Sequence, residues 1–207
     1  MAGEKISELR AQGLLPDENR TVDYYAVKEA VMPWSRFPGA DSILGPEMKS
    51  TGEVMGIART FPAAYAKTRE AVENKLPERG SVFISVCDRD KRAIAPVAMA
   101  LENLGYGIYT TGGTAKTLRA AGIDCTTVNR ISDGHPNVVD LMRDKTVSFI
   151  INTPHGHEAH SDGTKMRAEA VSQGITCVTA MSAATALIQA LAAARKSEPE
   201  TFALQDL

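Results

Sequence analysis

The chain is predicted to be α/β: a five-stranded parallel sheet flanked by helices, preceded by a shorter segment of different character. Three observations support this. Beyond Gly80, short β-type runs alternate with helical ones, the pattern of a parallel sheet built from crossover units. In Tyr106–Leu118 a β-rich run, the glycines Gly112 and Gly113 and a helical start at Thr114 follow one another directly. The 207 residues, 43% hydrophobic and 23% charged, have an ordinary globular composition and allow one full domain plus part of another.

Taken in order, the chain starts with a helix-like piece, Glu4 to Gln12, and a polar turn at Pro16–Asn19. A β-type segment follows from Val22 to Met32. Pro33, Pro38, Gly39, Gly45 and Pro46 then predict loop and turn over 33–56. Phe61, Ala64, Tyr65, Thr68 and Val72 recur at helical spacing within Thr60–Glu73. Leu76–Gly80, with Pro77 and Gly80, reads as a linker and places a domain boundary between residues 76 and 77.

Five β-type runs follow, Val82–Val86, Tyr106–Tyr109, Cys125–Val128, Ser148–Ile151 and Thr176–Thr179. The helical patterns between and after them are Lys91–Leu104, Thr114–Ala121, Pro136–Met142, Thr164–Ser172 and Ser182–Ala194. The clearest has Ile94, Val97, Ala98 and Leu101 on one apolar stripe. From Lys196 the chain reads as a frayed polar tail.

A net charge of -2 provides no general attraction to nucleic acid or to an anionic membrane, so any phosphate site must be local. No apolar run reaches about 18 residues and the N-terminus has no signal-peptide pattern, so a cytoplasmic chain is expected. Cys87, Cys125 and Cys177 lack metal-type spacing and are expected to be buried reduced thiols. His135, His155, His157 and His160 invite a metal reading, since the last three fall within six residues, but that segment reads as a Gly-containing loop with no cysteine nearby, and no metal is assigned.

In a parallel sheet, ligands sit outside the carboxyl ends of the strands. Those ends would bring together Ser85 with Asp88–Lys91, Thr110–Thr114, Arg130, and Asn152–Gly156. Hydroxyls and backbone N–H groups donate to phosphate oxygens, and Lys91 and Arg130 neutralise them. Thr114 is predicted to cap the helix that follows Gly112 and Gly113, whose first-turn N–H groups favour an anion. Asp88, Asp90 and Asp133 are the carboxylates that could act as bases if their pKa values were raised.

Two stretches together carry a family resemblance. Val27-Lys28-Glu29, Pro33 to Gly39 and Leu44 to Gly56 resemble the end of the second ATP-grasp half of the carbamoyl-phosphate synthase large chain. Residues 80–195 resemble the methylglyoxal-synthase-like allosteric domain that follows it there. The residues concerned are Ser85-Val86, Asp90-Lys91, Thr111-Gly112-Gly113-Thr114, Val128-Asn129-Arg130 and Ile150 to Pro154. The resemblance implies a remnant of the ATP-grasp domain over 1–76 and a Rossmann-like allosteric domain over 77–207.

It further implies a regulatory role in a ligase of pyrimidine and arginine biosynthesis. Uridine or inosine monophosphate would bind at Ser85, Lys91, Thr111, Gly112, Gly113, Thr114, Arg130, Asn152 and Pro154. The family often has lysine where Arg130 stands and threonine where Pro154 stands; the first change keeps a cation and the second removes a hydroxyl. An ornithine-like second effector would fall on Glu29 and Thr179. Where the family has Tyr-Asp-Thr, however, this chain has Cys177, Val178 and Thr179. A carboxylate partner for an ammonium group is lost, and ornithine control is not expected.

The implied partners are the rest of the large chain, the glutaminase small subunit and a further copy of the chain. ATP and magnesium or manganese would bind in the full synthase, upstream of Met1, and no cofactor is expected here. Two alternatives remain from other functional classes. One is a lyase of the methylglyoxal synthase kind; the chain has Asp133-Gly134-His135 where that enzyme would need a Gly-Gly-Asp type carboxylate. The other is an oligomerisation module with a vestigial site.

Overall fold

The computed structural model describes residues 3–15, 22–32, 52–72, 77–153, 162–196, 200–203 and 205. After α1 (Ile6–Ala11), strands β1 (Tyr25–Val31) and β2 (Gly52–Ala58) pair antiparallel, and α2 (Phe61–Ala71) follows. The strand β2 corrects the loop expected over 33–56 at its last five residues. The breakers behind that expectation all precede β2, and within the strand Gly56 is a point of close approach. A Cβ there would come within 2.1 Å of the Ala64 carbonyl oxygen and 2.8 Å of the Thr68 nitrogen, so only glycine lets α2 lie on the strand.

Beyond Gly80 the expected alternation is present. It runs β3 (Ser81–Ser85), α3 (Lys91–Asn103), β4 (Gly107–Thr111), α4 (Gly112–Ala120), β5 (Thr126–Val128), α5 (Val138–Arg143), β6 (Phe149–Asn152), α6 (Asp162–Ser172), β7 (Thr176–Val178) and α7 (Met181–Ala194). The five strands form a parallel sheet in the order β5-β4-β3-β6-β7. Period-two alternation sorts its residues. Val82, Ile84, Ile108, Phe149 and Ile151 pack with α3, α4 and α7. Phe83, Val128 and Ile150 pack with Val138 and Met142 of α5 and Met166 and Ala170 of α6.

Two further differences from the sequence reading have local causes. Asn137, rather than Pro136, starts α5: its side chain accepts from the Val139 N–H at 2.9 Å, and its own N–H donates to Asp140 Oδ2 at 2.9 Å. That reciprocal box satisfies two N–H groups at the helix start. The tail beyond Lys196 is also not wholly frayed, because the Phe202 ring lies 5.4 Å from the Arg59 guanidinium and 5.0 Å from Lys67 Nζ. Among the described residues no helix is long and apolar enough to cross a membrane.

Candidate functional site

Sheet register builds the site. Ser85 pairs with Asn152 and Thr111 with Val128, while Ile84 pairs with Thr110. Val128, Thr111, Ser85 and Asn152 therefore form one row across four strands at their carboxyl ends. Ser85, Thr111 and Asn152 each lie two residues beyond Phe83, Tyr109 and Ile150, which face α5 and α6, so all three face that side. Ser85 Oγ and Thr111 Oγ1 are 3.3 Å apart. Asn152 Nδ2 donates to the Ser85 carbonyl at 3.0 Å.

The glycine turn is built differently from the sequence reading. Gly112 and Gly113 are the first residues of α4, the cap position is Thr111 (φ -82°, ψ 158°), and Thr114 lies inside the helix. Thr114 is buried, and its hydroxyl accepts from the Val86 N–H at 3.4 Å instead of capping α4. It thus ties the helix start to the loop after β3. Gly112 has open space where a Cβ would be, and a Cβ on Gly113 would stand 3.6 Å from Lys91 Nζ. The missing side chains leave the first turn of α4 open, with the Lys91 ammonium beside it.

Lys91 heads α3 and pairs with the Asp88 carboxylate, itself 88% exposed. An incoming dianion would compete with a water-facing carboxylate, and exposed pairs of this kind are weak. Arg130 is exposed, two residues past the edge strand β5, where it precedes a 3-10 turn, Ile131–Asp133. It stands at the margin of the row. Pro154 and the histidines His155, His157 and His160 lie outside the described residues, as do residues 33–51 of the resemblance. Among the described residues no three of His, Cys, Asp and Glu are grouped as metal ligands would be.

Two carboxylates near the strand ends are held low by hydrogen bonds. The Cys87 thiol, then the Thr153 hydroxyl, hydrogen-bond to Asp90 and hold its carboxyl below the usual range, the opposite of the shift a general base needs. Asp140, bonded by His135 Nδ1 at 2.7 Å and by the Asn137 N–H, is lowered for the same kind of reason. Cys87 and Cys125 are buried free thiols, and burial pushes the Cys125 thiol up. Cys177 is only half-buried, a correction to the expectation for all three.

The ornithine-like pair falls elsewhere. Glu29 of β1 pairs with Arg69 of α2, whose Nη2 also donates to Thr176 Oγ1 at 3.2 Å. Thr179 lies past the other end of β7, about 10 Å along the strand at 3.3 Å per residue. An ammonium group approaching Glu29 would meet a guanidinium already in place. The sequence reading missed Arg69, which is 40 residues away from Glu29. It also missed Arg167, which is buried and donates to Asn152 Oδ1 at 2.9 Å. Nothing in the spacing of either arginine distinguishes it from a solvated helix cation.

Residues 93–179 match the MGS-like domain family. The chain contains an MGS-like domain. The matched range includes Thr111–Thr114, Arg130 and Asn152 and begins just after β3 and Lys91. The whole chain is similar to carbamoyl phosphate synthase large chains. It is 42% identical to that of Acidobacterium capsulatum over 206 residues, 99% of this chain and 19% of the relative. It is 44% identical to the carbamoyl phosphate synthase large chain, C-terminal section, of Methanopyrus kandleri over 207 residues, 99% of this chain and 38% of the relative. The chain therefore spans well under half the length of these relatives. Methylglyoxal synthase from Elizabethkingia anophelis NUHP1 aligns in structure with 55% of this chain and 79% of its own, at 20% identity and a TM-score of 0.46.

Proposed function

We propose that this MGS-like domain is a regulatory site in the context of a carbamoyl phosphate synthase large chain, and that it binds a nucleoside monophosphate of the uridine or inosine type. The phosphate would sit at the first turn of α4, held by the Gly112 and Gly113 N–H groups, the Thr111 and Ser85 hydroxyls and Lys91. Arg130 would reach it from the margin, with Asn152 on the ribose or base side.

The observation that carries this reading is the meeting of the Ser85–Thr111 hydroxyl pair with an open glycine helix start beside an ammonium group. Hydroxyls, amides and a cation suit a phosphomonoester dianion. In the full synthase the ligand would act by preferring one of two conformations, a coupling of about 1–3 kcal/mol. The route toward the neighbouring domain would run through α2, which packs on α7 and on β2. ATP and its metal would bind in the rest of the large chain. That remainder, the glutaminase subunit and a second copy of the chain are the proposed partners.

Calorimetry of the chain with uridine and inosine monophosphates tests the site. Saturable heat for either is expected, and no heat above buffer for both would overturn it. An assay for methylglyoxal from dihydroxyacetone phosphate is expected to be blank.

A further inference from the structure

The Asn152 carboxamide lies between two groups of fixed polarity. The Ser85 carbonyl only accepts, and takes its hydrogen bond from Nδ2 at 3.0 Å. The Arg167 guanidinium only donates, and Nη1 binds Oδ1 at 2.9 Å. Both contacts demand the same orientation, because a flipped amide would set acceptor against acceptor and donor against donor. Asn152 is 6% exposed and Arg167 is 3% exposed, so water offers little substitute for either contact.

Arg167 is itself placed by α6. Its Nη2 donates to Thr164 Oγ1, one turn earlier, at 3.3 Å. The first residue of α6, Asp162, accepts from the Ser132 N–H at 3.0 Å and from the Ser132 hydroxyl at 2.9 Å. Ser132 belongs to the turn that Arg130 precedes. One helix therefore holds both Asn152, on the inner strand β6, and the turn after the edge strand.

We propose that Arg167 is a positioning residue for phosphomonoester recognition: it turns the Asn152 acceptor edge toward α6 and keeps the donor edge on the side of Ser85 and Thr111. The carboxamide then offers the ligand N–H alone, which favours an anionic or carbonyl oxygen. Arg167 acts through Asn152 and makes no ligand contact of its own. This inference rests on the nucleotide-binding reading and names a determinant of that same site.

The test is a double-mutant cycle on the full chain, using calorimetry with uridine and inosine monophosphates for wild type, Arg167→Lys, Asn152→Ala and the pair. Lysine keeps the charge and loses the two-pronged donor. Each single change is expected to weaken binding about tenfold, and the double change no more than either single one, since the two side chains act as a unit. Multiplying effects, or an Arg167→Lys affinity equal to wild type, would overturn the positioning role.

A measurement on the wild-type chain needs no variant to fold. The 15N-labelled Asn152 side-chain amide signal is expected to move when nucleotide is added, and a bound nucleotide that leaves it in place would also overturn the role. Should wild type bind neither nucleotide, the nucleotide reading itself falls and takes this role with it. Binding by wild type with no dependence on Arg167 fails this inference alone.

Discussion

Two polar clusters of this chain differ in how their charges are met. At the strand ends, Lys91 is countered by an Asp88 that is 88% exposed, and its ammonium stands beside the glycine start of α4. At the β1–α2 junction, Arg69, with 9% of its side chain exposed, is already matched by Glu29, with 29% exposed. The first arrangement leaves donors available to an outside anion at little cost. The second spends its cation on an internal carboxylate, although Glu29 Oε2 and Arg69 Nε are buried with no hydrogen-bond partner among the described residues. On the proposed reading the difference lies in what the charges of each cluster already meet, and sequence similarity at Glu29 alone does not report that.

The sharpest way to break the comparison is to detach the second cluster. Gly56→Ala puts a methyl against the backbone of α2 and is expected to destabilise the chain by about 3 kcal/mol or more, at or above the usual range for overpacking. Urea titration measures this, and an unchanged midpoint would show that α2 does not lie on β2. Next in size, Arg69→Met leaves Glu29 without its cation. The expected loss is about 2–3 kcal/mol, below the 3–5 typical of a fully buried pair because Glu29 keeps a face toward water. Nucleotide affinity should stay within about twofold, as expected of a site with no shared partner.

At the strand ends the ordering reverses. Lys91→Ala with Arg130→Ala is expected to weaken nucleotide binding at least about tenfold, given about 1.5–3 kcal/mol for a hydrogen bond to a charged group, while the urea midpoint barely moves. Equal affinity would remove the phosphate from this place.

The smallest effects concern the α5 cap. Asn137→Ala is expected to cost about 1 kcal/mol. For Asp140 the folded pKa is lowered, so its contribution is fully present above the ordinary carboxylate pKa and is lost as pH falls through the lower, folded value. Asp140→Asn should therefore flatten the acid side of a melting-temperature profile and leave the difference from wild type constant near neutral pH. A gap that widens from pH 6 to pH 8 would contradict this assignment.

The order of the five central strands' segments was legible because each is a β-rich run closed by a polar turn, and the helix stripe of Ile94, Val97, Ala98 and Leu101 named its own buried face. Their carboxyl ends then pointed to Ser85, Thr111 and Asn152 with no further information. What was hidden is non-local. β2 exists because β1 pairs with it, Val31 and Gly52 being register partners 21 positions apart, and the role of Gly56 shows only when α2 is laid over it. The cap position of α4 was placed three residues late, since Thr111 ends a strand and occupies the cap position at once. Arg69 and Arg167 look like solvated helix cations in sequence; only the packing of α2 and α6 buries them.

The most direct test of the central claim is a nucleotide titration of the 15N-labelled chain, followed at the backbone amides. Uridine or inosine monophosphate is expected to shift Gly112, Gly113 and Thr114 most, with Ser85 and Asn152 following and Glu29 and Arg69 unmoved. Saturable shifts centred on Glu29 and Arg69, or none at the start of α4, would contradict it.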